Sequence, residues 1–521
     1  MTDREVIMDK AEICRMSALD MRNAIAKGEL SPVEAVDAVL DRIDKINPIV
    51  NAYCTVVAES ARNEAQQAEA KLRNKESIGP LHGVPISIKD LVFTKGIRTT
   101  GGSRLYENFV PEQDSIVVER LKEAGAIIIG KTNTPAFGWV AITDNQIFGP
   151  TRNPWNRERI SGGSSGGAAC ATALGMAPLS IGSDGGGSIR IPSSFCGVFG
   201  LKPSYGRVPA SPGFPGVWEG LSVTGPITRT VRDAALLMEV IAGRDDRDYA
   251  TLPEDNLSYL PLPGGGLRGL RVAWSPDLGY AAVDKEVRTI TEKAVKTFAS
   301  LGCLVEEATP DTDSPQNSFS AQVAASIAAY PGNRLDDSPE LFEPAMARFI
   351  ERSREMLATD YLHARVQNIA YAGKMQTFFS QYDLLLTPTV AIPAFEVGTN
   401  GPREIDGKKV VGFYHGPDIN VNNIWVDGTA HIACAYLSVG EKERGYFYAN
   451  QLDKLLIERI INGKKTHALP YTVNKTGGYA WVDTTKGFIS CAAWYIFAKN
   501  EFNPMLLIRA FSVENHFKTQ H

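Results

Sequence analysis

Two serine-bearing glycine runs, Ser-Gly-Gly-Ser-Ser-Gly-Gly at 161–167 and Gly-Ser-Asp-Gly-Gly-Gly-Ser-Ile-Arg at 182–190, are the part of this sequence best suited to chemistry. Ordering so many glycines costs conformational entropy, and a flexible linker has a similar composition. Their surroundings argue against a linker, because residues 168–182 are alanine-rich and apolar and read as a buried helix. A tight turn over Asp184-Gly185-Gly186-Gly187-Ser188 lets bare backbone approach a substrate and aim several N–H groups at one point. A developing oxyanion needs such donors, each worth about 3 kcal/mol when preorganised. Ser188 is then the candidate nucleophile, and the backbone of Gly185, Gly186, Gly187 and Ser188 the candidate oxyanion hole. The chemistry is attack on a carbonyl.

A serine hydroxyl attacks only when a base takes its proton. Of the seven histidines, His82 alone lies near this region, and His363, His415, His431, His467, His516 and His521 carry no signature, so all read as packing or surface residues. Lys89 closes the run His82-Gly-Val-Pro-Ile-Ser-Ile-Lys-Asp90 behind an apolar segment. A lysine drawn into such an interior loses its charge more readily and can be a neutral base near pH 7. Pairing of Lys89 with Asp90 at a strand end fits the same residues equally well, and local sequence leaves both open. Seven scattered cysteines, without a Cys-x-x-Cys pair, suggest neither a disulfide framework nor a zinc site. Cys170 and Cys196 flank the serine region without a neighbouring histidine, and read as small buried apolar residues.

The elements that must position these residues alternate between helix and strand. Ser31 caps a helix with Pro32 in its first turn and Glu34 completing a capping box; Val36, Val39, Leu40 and Ile43 form its buried stripe and Pro48 closes it. Residues 58–76 continue as an exposed helix, and Gly79, Pro80, Gly83 and Pro85 lead into the apolar segment ending at Lys89. Helix 115–125 ends at Gly125 before a buried strand at Ala126–Ile129, and helix 284–301 ends at Gly302 before Cys303–Glu306. Residues 320–380 have helical spacing, and Tyr382–Leu386 reads as an inner strand. This alternation predicts an α/β sheet covered by helices. Gly264, Gly266 and Gly269 match a dinucleotide-loop spacing, but they follow Pro261-Leu262-Pro263 and precede a strand, so they read as a linker.

With 54 basic and 59 acidic residues among 521, the net charge of −5 and the absence of a long charge block make nucleic acid and membrane poor partners. The Met-Thr-Asp-Arg-Glu start lacks the apolar core of a signal peptide, and the run from Cys491 to Phe497 is too short to span a bilayer, so a cytoplasmic location is expected.

Taken together, Gly-Val-Pro-Ile-Ser-Ile-Lys-Asp (83–90), Gly-Pro-Thr-Arg-Asn-Pro-Trp (149–155), Gly-Gly-Ser-Ser-Gly-Gly (162–167), Gly-Ser-Asp-Gly-Gly-Gly-Ser-Ile-Arg-Ile-Pro (182–192), Phe195 to Pro203 and Gly225 to Thr230 resemble the amidase signature family. The resemblance is strong over residues 15–245 and looser over 270–395. It implies a single α/β fold with a central mixed β-sheet covered by α-helices on both faces. Residues 1–70 would be an N-terminal helical region and 71–399 the core, with a helical insertion at about 320–380. It places the nucleophile at Ser188, a cis-peptide serine at Ser164, the base at Lys89 and the oxyanion hole at Gly185–Ser188. Ser165 and Asp184 would hold the loops, Arg190 would support the turn, and Phe137, Trp139 and Pro212 to Trp218 would wall the pocket. No metal or organic cofactor is implied. The expected enzyme is a monomeric or homodimeric amidase acting on a small-molecule amide, carbamates and esters included.

Beyond residue 399 the family's usual segments are missing, and residues 400–521 turn rich in aromatics and lysine, as at Gly445 to Tyr448 and Trp494 to Phe497. Two rival functions keep the same serines. One is an amidotransferase subunit releasing ammonia from glutamine. The other is an α/β-hydrolase-type esterase, since Gly162-Gly-Ser164-Ser-Gly166 also fits a nucleophile elbow and would need a late histidine.

Overall fold

The computed structural model describes residues 9–214, 218, 220–254, 257–260 and 266–399, with the strand segments Glu404–Ile405, Lys408–Lys409, Ile457–Ile461 and Lys464–Ala468 beyond them. The expectations for the aromatic runs after residue 400, for His415, His431, His516 and His521, and for residues 215–217 of the pocket stretch lie outside the described residues.

Six strands make the central mixed sheet: β1 (Tyr53–Val56), β2 (Pro85–Lys89), β3 (Ile127–Thr132), β4 (Leu179–Asp184), β5 (Phe199–Gly200) and β6 (Val223–Thr228). Their order is β1-β3-β2-β4-β6-β5. β2 lies parallel to β3 and β4 on either side, whereas β1 and β6 run antiparallel to their neighbours. The central parallel strands are buried along their length, as two-sided burial requires, so they read as apolar runs without alternation.

Helices α1 (Lys10–Arg15), α2 (Ala18–Lys27) and α3 (Pro32–Val50) lead into the sheet, α4 (Ala58–Arg73), α5 (Ile116–Glu123), α6 (Gly166–Ala173) and α7 (Arg190–Cys196) connect its strands, and α8 (Val231–Ile241) follows the last of them. One continuous apolar core runs from Met21 and Leu40 through Ile86, Ile129 and Ile181 to Leu237. β7 (Arg271–Trp274), β8 (Leu304–Glu307) and β9 (Leu384–Leu386) form a separate parallel sheet in the order β8-β7-β9, with α9 (Lys285–Ser300) between β7 and β8. Between β8 and β9, α10 (Gln316–Ala329), α11 (Pro344–Ser353) and α12 (Ala358–Phe379) make a helical layer. A second apolar cluster, including Val323, Ile327, Met346 and Ile350, joins that layer to Ala136 and Phe137. Among the described residues no helix is long and apolar enough to cross a membrane.

Three elements differ from the sequence reading. Ser31 does form the capping box with Glu34, but α3 passes through Pro48 and stops at Asn51, whose φ is 54°. In the last turn a proline forfeits only one hydrogen bond, while Asn51 tolerates the left-handed conformation that ends a helix. The apolar stretch 168–182 is not one helix: α6 ends at Ala173, Gly175 takes φ 67°, and Leu179–Asp184 enters the sheet. Burial on both faces removes the alternation that would mark that strand. Tyr382–Leu386, expected as an inner strand, is shorter, Leu384–Leu386, and among the described residues it lies at the edge of its sheet, with Leu384 36% exposed.

Candidate active site

Lys89 is the last residue of β2 and is fully buried. Its ammonium donates to Ser164 Oγ at 2.7 Å, to Ser183 Oγ at 3.0 Å and to Ser183 O at 3.3 Å. Burial pulls its pKa down to about 7, against the opposing charge of Asp184. The alternative pairing with Asp90 is overturned. Successive side chains leave a strand on opposite faces, and Asp90 Oδ2 instead accepts from Thr100 N–H at 3.0 Å and Thr100 Oγ at 2.5 Å. The sequence reading gives Ser183 no role. Its one signal is position, a residue before Asp184 at the end of a strand parallel to β2.

The second serine enters from the loop before α6, where the Gly163–Ser164 peptide is cis. A side chain at Gly163 would collide with the backbone of Ile142 at 2.6 Å, so only glycine lets this loop lie so close. Ser165 ties the loops together. Its N–H donates to Ser188 O at 3.1 Å, its hydroxyl donates to Ser183 O at 3.2 Å, and that hydroxyl accepts from Ser183 N–H at 3.3 Å.

Asp184 organises the turn that carries Ser188. One carboxylate oxygen accepts from Gly187 N–H at 2.7 Å; the other accepts from Ile189 N–H at 3.1 Å and Arg190 N–H at 3.3 Å. The Arg190 guanidinium adds a bidentate pair at 2.9 and 2.8 Å. Burial raises the Asp184 pKa, but the Arg190 hydrogen bond and charge outweigh it and hold the group below the usual carboxylate range. Gly187 N–H is thereby committed to Asp184. No described residue accepts from the amides of Gly185, Gly186 or Ser188.

Ser164, Ser183 and Ser188 open onto a cavity of about 170 Å³, walled on its apolar side by Leu91, Phe137, Phe214 and Trp218, and no described residue of its lining bears a charge. Trp218 donates its indole N–H to Phe137 O at 3.0 Å, and Phe137 meets Phe214 edge to face at 5.8 Å. Of the expected wall residues that the structure describes, Phe137, Pro212, Gly213, Phe214 and Trp218 are there and Trp139 is not. Phe137 at φ 52° and Gly138 at φ 70° twist the chain, and Trp139 leaves on the other side, against Glu343 Oε2 at 3.4 Å and the Phe349 ring at 6.1 Å. The bland readings of other residues fit their places. His82 is buried against Ala68 O, and burial pushes the Cys170 and Cys196 thiols up, away from nucleophilic character. Among the described residues no cluster of three or more His, Cys, Asp or Glu could hold a metal ion.

The family described as Amidase matches residues 34–421. The chain belongs to the amidase family. An acylamidase of Rhodococcus erythropolis is 37% identical over 398 residues, covering 75% of this chain and 82% of its own. One of the subunits of a glutamyl-tRNA(Gln) amidotransferase, from Carboxydothermus hydrogenoformans, is 38% identical over 416 residues, covering 74% and 85%. Among solved structures, a bacterial aryl acylamidase of the amidase signature enzymes superposes with a TM-score of 0.71 at 26% identity, over 93% of this chain and 98% of that one. This amidase-family chain is thus an enzyme of the carbon–nitrogen hydrolase class, and its mixed α/β architecture is that of the amidase signature fold.

Proposed function

We propose that residues 71–399 hydrolyse a carbon–nitrogen acyl bond of a small amide through a serine acyl-enzyme, with Ser188 as nucleophile, Ser164 as proton relay and Lys89 as base. The observation that carries this reading is the fully buried Lys89 ammonium, held near neutrality 2.7 Å from Ser164 Oγ. Neutral Lys89 takes a proton from Ser164 as Ser164 takes one from Ser188, whose oxygen adds to the substrate carbonyl. Ser188 Oγ has no hydrogen-bond partner among the described residues, and substrate completes that link, since catalytic hydrogen bonds commonly tighten in the Michaelis complex. The uncommitted amides of Gly185, Gly186 and Ser188 receive the oxyanion. Collapse returns the proton through Ser164 to the departing amine, and water, activated by the same relay, frees the acid and restores Ser188.

Leu91, Phe137, Phe214 and Trp218 give the acyl group an apolar, aromatic wall. An aryl or short apolar acyl group fits, which agrees with the acylamidases among its relatives. Glutamine brings an α-ammonium and an α-carboxylate, and the described lining offers neither a charge. An elbow-type esterase would need histidine on Ser164, and Ser164 Oγ receives Lys89. The deciding experiment is a panel of aryl amides, primary amides, carbamates, esters and glutamine, run beside Ser188→Ala. Aryl or apolar amides are expected to turn over, with Ser188→Ala inactive on all. Preferred ammonia release from glutamine, or an active Ser188→Ala, overturns the proposal.

A further inference from the structure

The turn proposed to bind the oxyanion is flanked by two rings from distant parts of the chain, Trp218 of the cavity wall and Phe319. A Cβ placed on Gly185 would sit 2.8 Å from Trp218 Cε3, and one placed on Gly186 would sit 2.6 Å from Phe319 Cζ. Neither glycine has a positive φ. What forbids a side chain at these positions is therefore the rings, not the backbone. The two rings also pack on each other, with centroids 6.2 Å apart and planes 35° apart.

Both rings are held in place by contacts of their own. Trp218 is held by its indole N–H on Phe137 O at 3.0 Å. Phe319 lies in the first turns of α10, where its N–H donates to Pro315 O at 2.9 Å. The neighbouring Ser318 hydroxyl donates to Asn368 Oδ1 of α12 at 2.6 Å, which pins the start of α10 to the helical layer. Phe319 is not among the residues lining the cavity. It touches the turn and not the space the substrate enters.

We propose that Phe319 is a positioning residue: its ring, seated with Trp218 on the Gly185–Gly186 face, holds the oxyanion-binding amides in register, so the helical layer contributes to the rate without touching the substrate. This rests on the reading of Ser188 and its turn given above. Removing an oxyanion donor costs about 10² to 10³ in kcat, and a donor loosened rather than removed costs less, about tenfold.

The test uses the full chain and measures kcat, KM and inhibition by a trifluoromethyl ketone, whose tetrahedral adduct loads the same amides. Phe319→Ala is expected to lower kcat about tenfold and weaken the ketone in parallel, with KM and the thermal midpoint little changed. Phe319→Leu should restore most of both. Gly186→Ala should be nearly inactive, and Gly186→Ala combined with Phe319→Ala should be more active than Gly186→Ala alone, because the ring no longer meets the added methyl. Unchanged kcat and ketone affinity in Phe319→Ala overturns the proposal. So does a loss confined to KM, which would make the ring a substrate contact, or a loss that tracks only a lowered midpoint without rescue by leucine. A fully active Ser188→Ala in the same series would instead remove the reading on which the proposal rests.

Discussion

The pH behaviour of the enzyme should be set at Lys89. A relay base works only when neutral, and burial brings its pKa down to about 7. The expected kcat/KM rises as pH climbs through about 7, levels off above it, and collapses on the acid side as the ammonium forms. Lys89→Met keeps the apolar stem and removes the base, so it should cost about 10² to 10⁴ in kcat and abolish that rise, checked by a pH–rate profile of the residual activity. A flat wild-type profile between about pH 6 and 8 would assign the base elsewhere. The two serine runs and Lys89 are visible in the sequence, yet the partner of Lys89 is not. Local spacing cannot distinguish Asp90, one residue away, from Ser164, which reaches the ammonium only because the loop before α6 packs against the end of β2. Ser183 escapes the sequence reading because it too comes from elsewhere in the chain, on β4 beside β2.

At the scale of elements, helices with strong terminal signals are legible, as the Ser31–Glu34 capping box in α3 shows. An element buried on both sides is legible only where a turn marks its start: β3 follows Gly125, whereas β4 hides inside an alanine-rich run because nothing alternates in it. The family resemblance suggests the pocket for Trp139, but the left-handed turn between Phe137 and Trp139 sends it to the helical layer, against Phe349 and Glu343. Trp139→Ala should therefore leave the ranking of acyl groups unchanged while loosening the seam between Ala136–Gly138 and α11. The ring is half-buried, so the cost is expected below that of a fully buried aromatic, about 1 to 3 kcal/mol by denaturant unfolding. A changed acyl ranking with unaltered stability would return Trp139 to the substrate.

For the molecule as a whole, the same seam should make stability depend on pH. Glu343 sits at the start of α11 with one carboxylate oxygen buried without a partner, and burial pushes its pKa up to about 7, opposed by the Trp139 indole and reinforced by Asp144. An unfolded glutamate titrates near about 4.3, so between that pH and about 7 the folded chain keeps a proton the unfolded chain has lost. Stability then falls as pH rises through this window, with a ceiling on the order of 3 kcal/mol above it. Glu343→Gln should raise the thermal midpoint at about pH 8 and leave it nearly unchanged at about pH 4; equal shifts at both would refute this origin. The fold class is open to the sequence because helix–strand alternation and linked motifs run through most of the chain, whereas the helical layer's docking on the site depends on contacts such as Tyr106 to Tyr330 that no local pattern encodes. The uncharged lining of the cavity has one more consequence. Hydrolysis turns a neutral amide into an acid that ionises near neutral pH, and no charged residue of the described lining faces that carboxylate. The apolar wall thus holds the carboxylate less well than the amide it came from, which favours clearance of the product and weak inhibition by it.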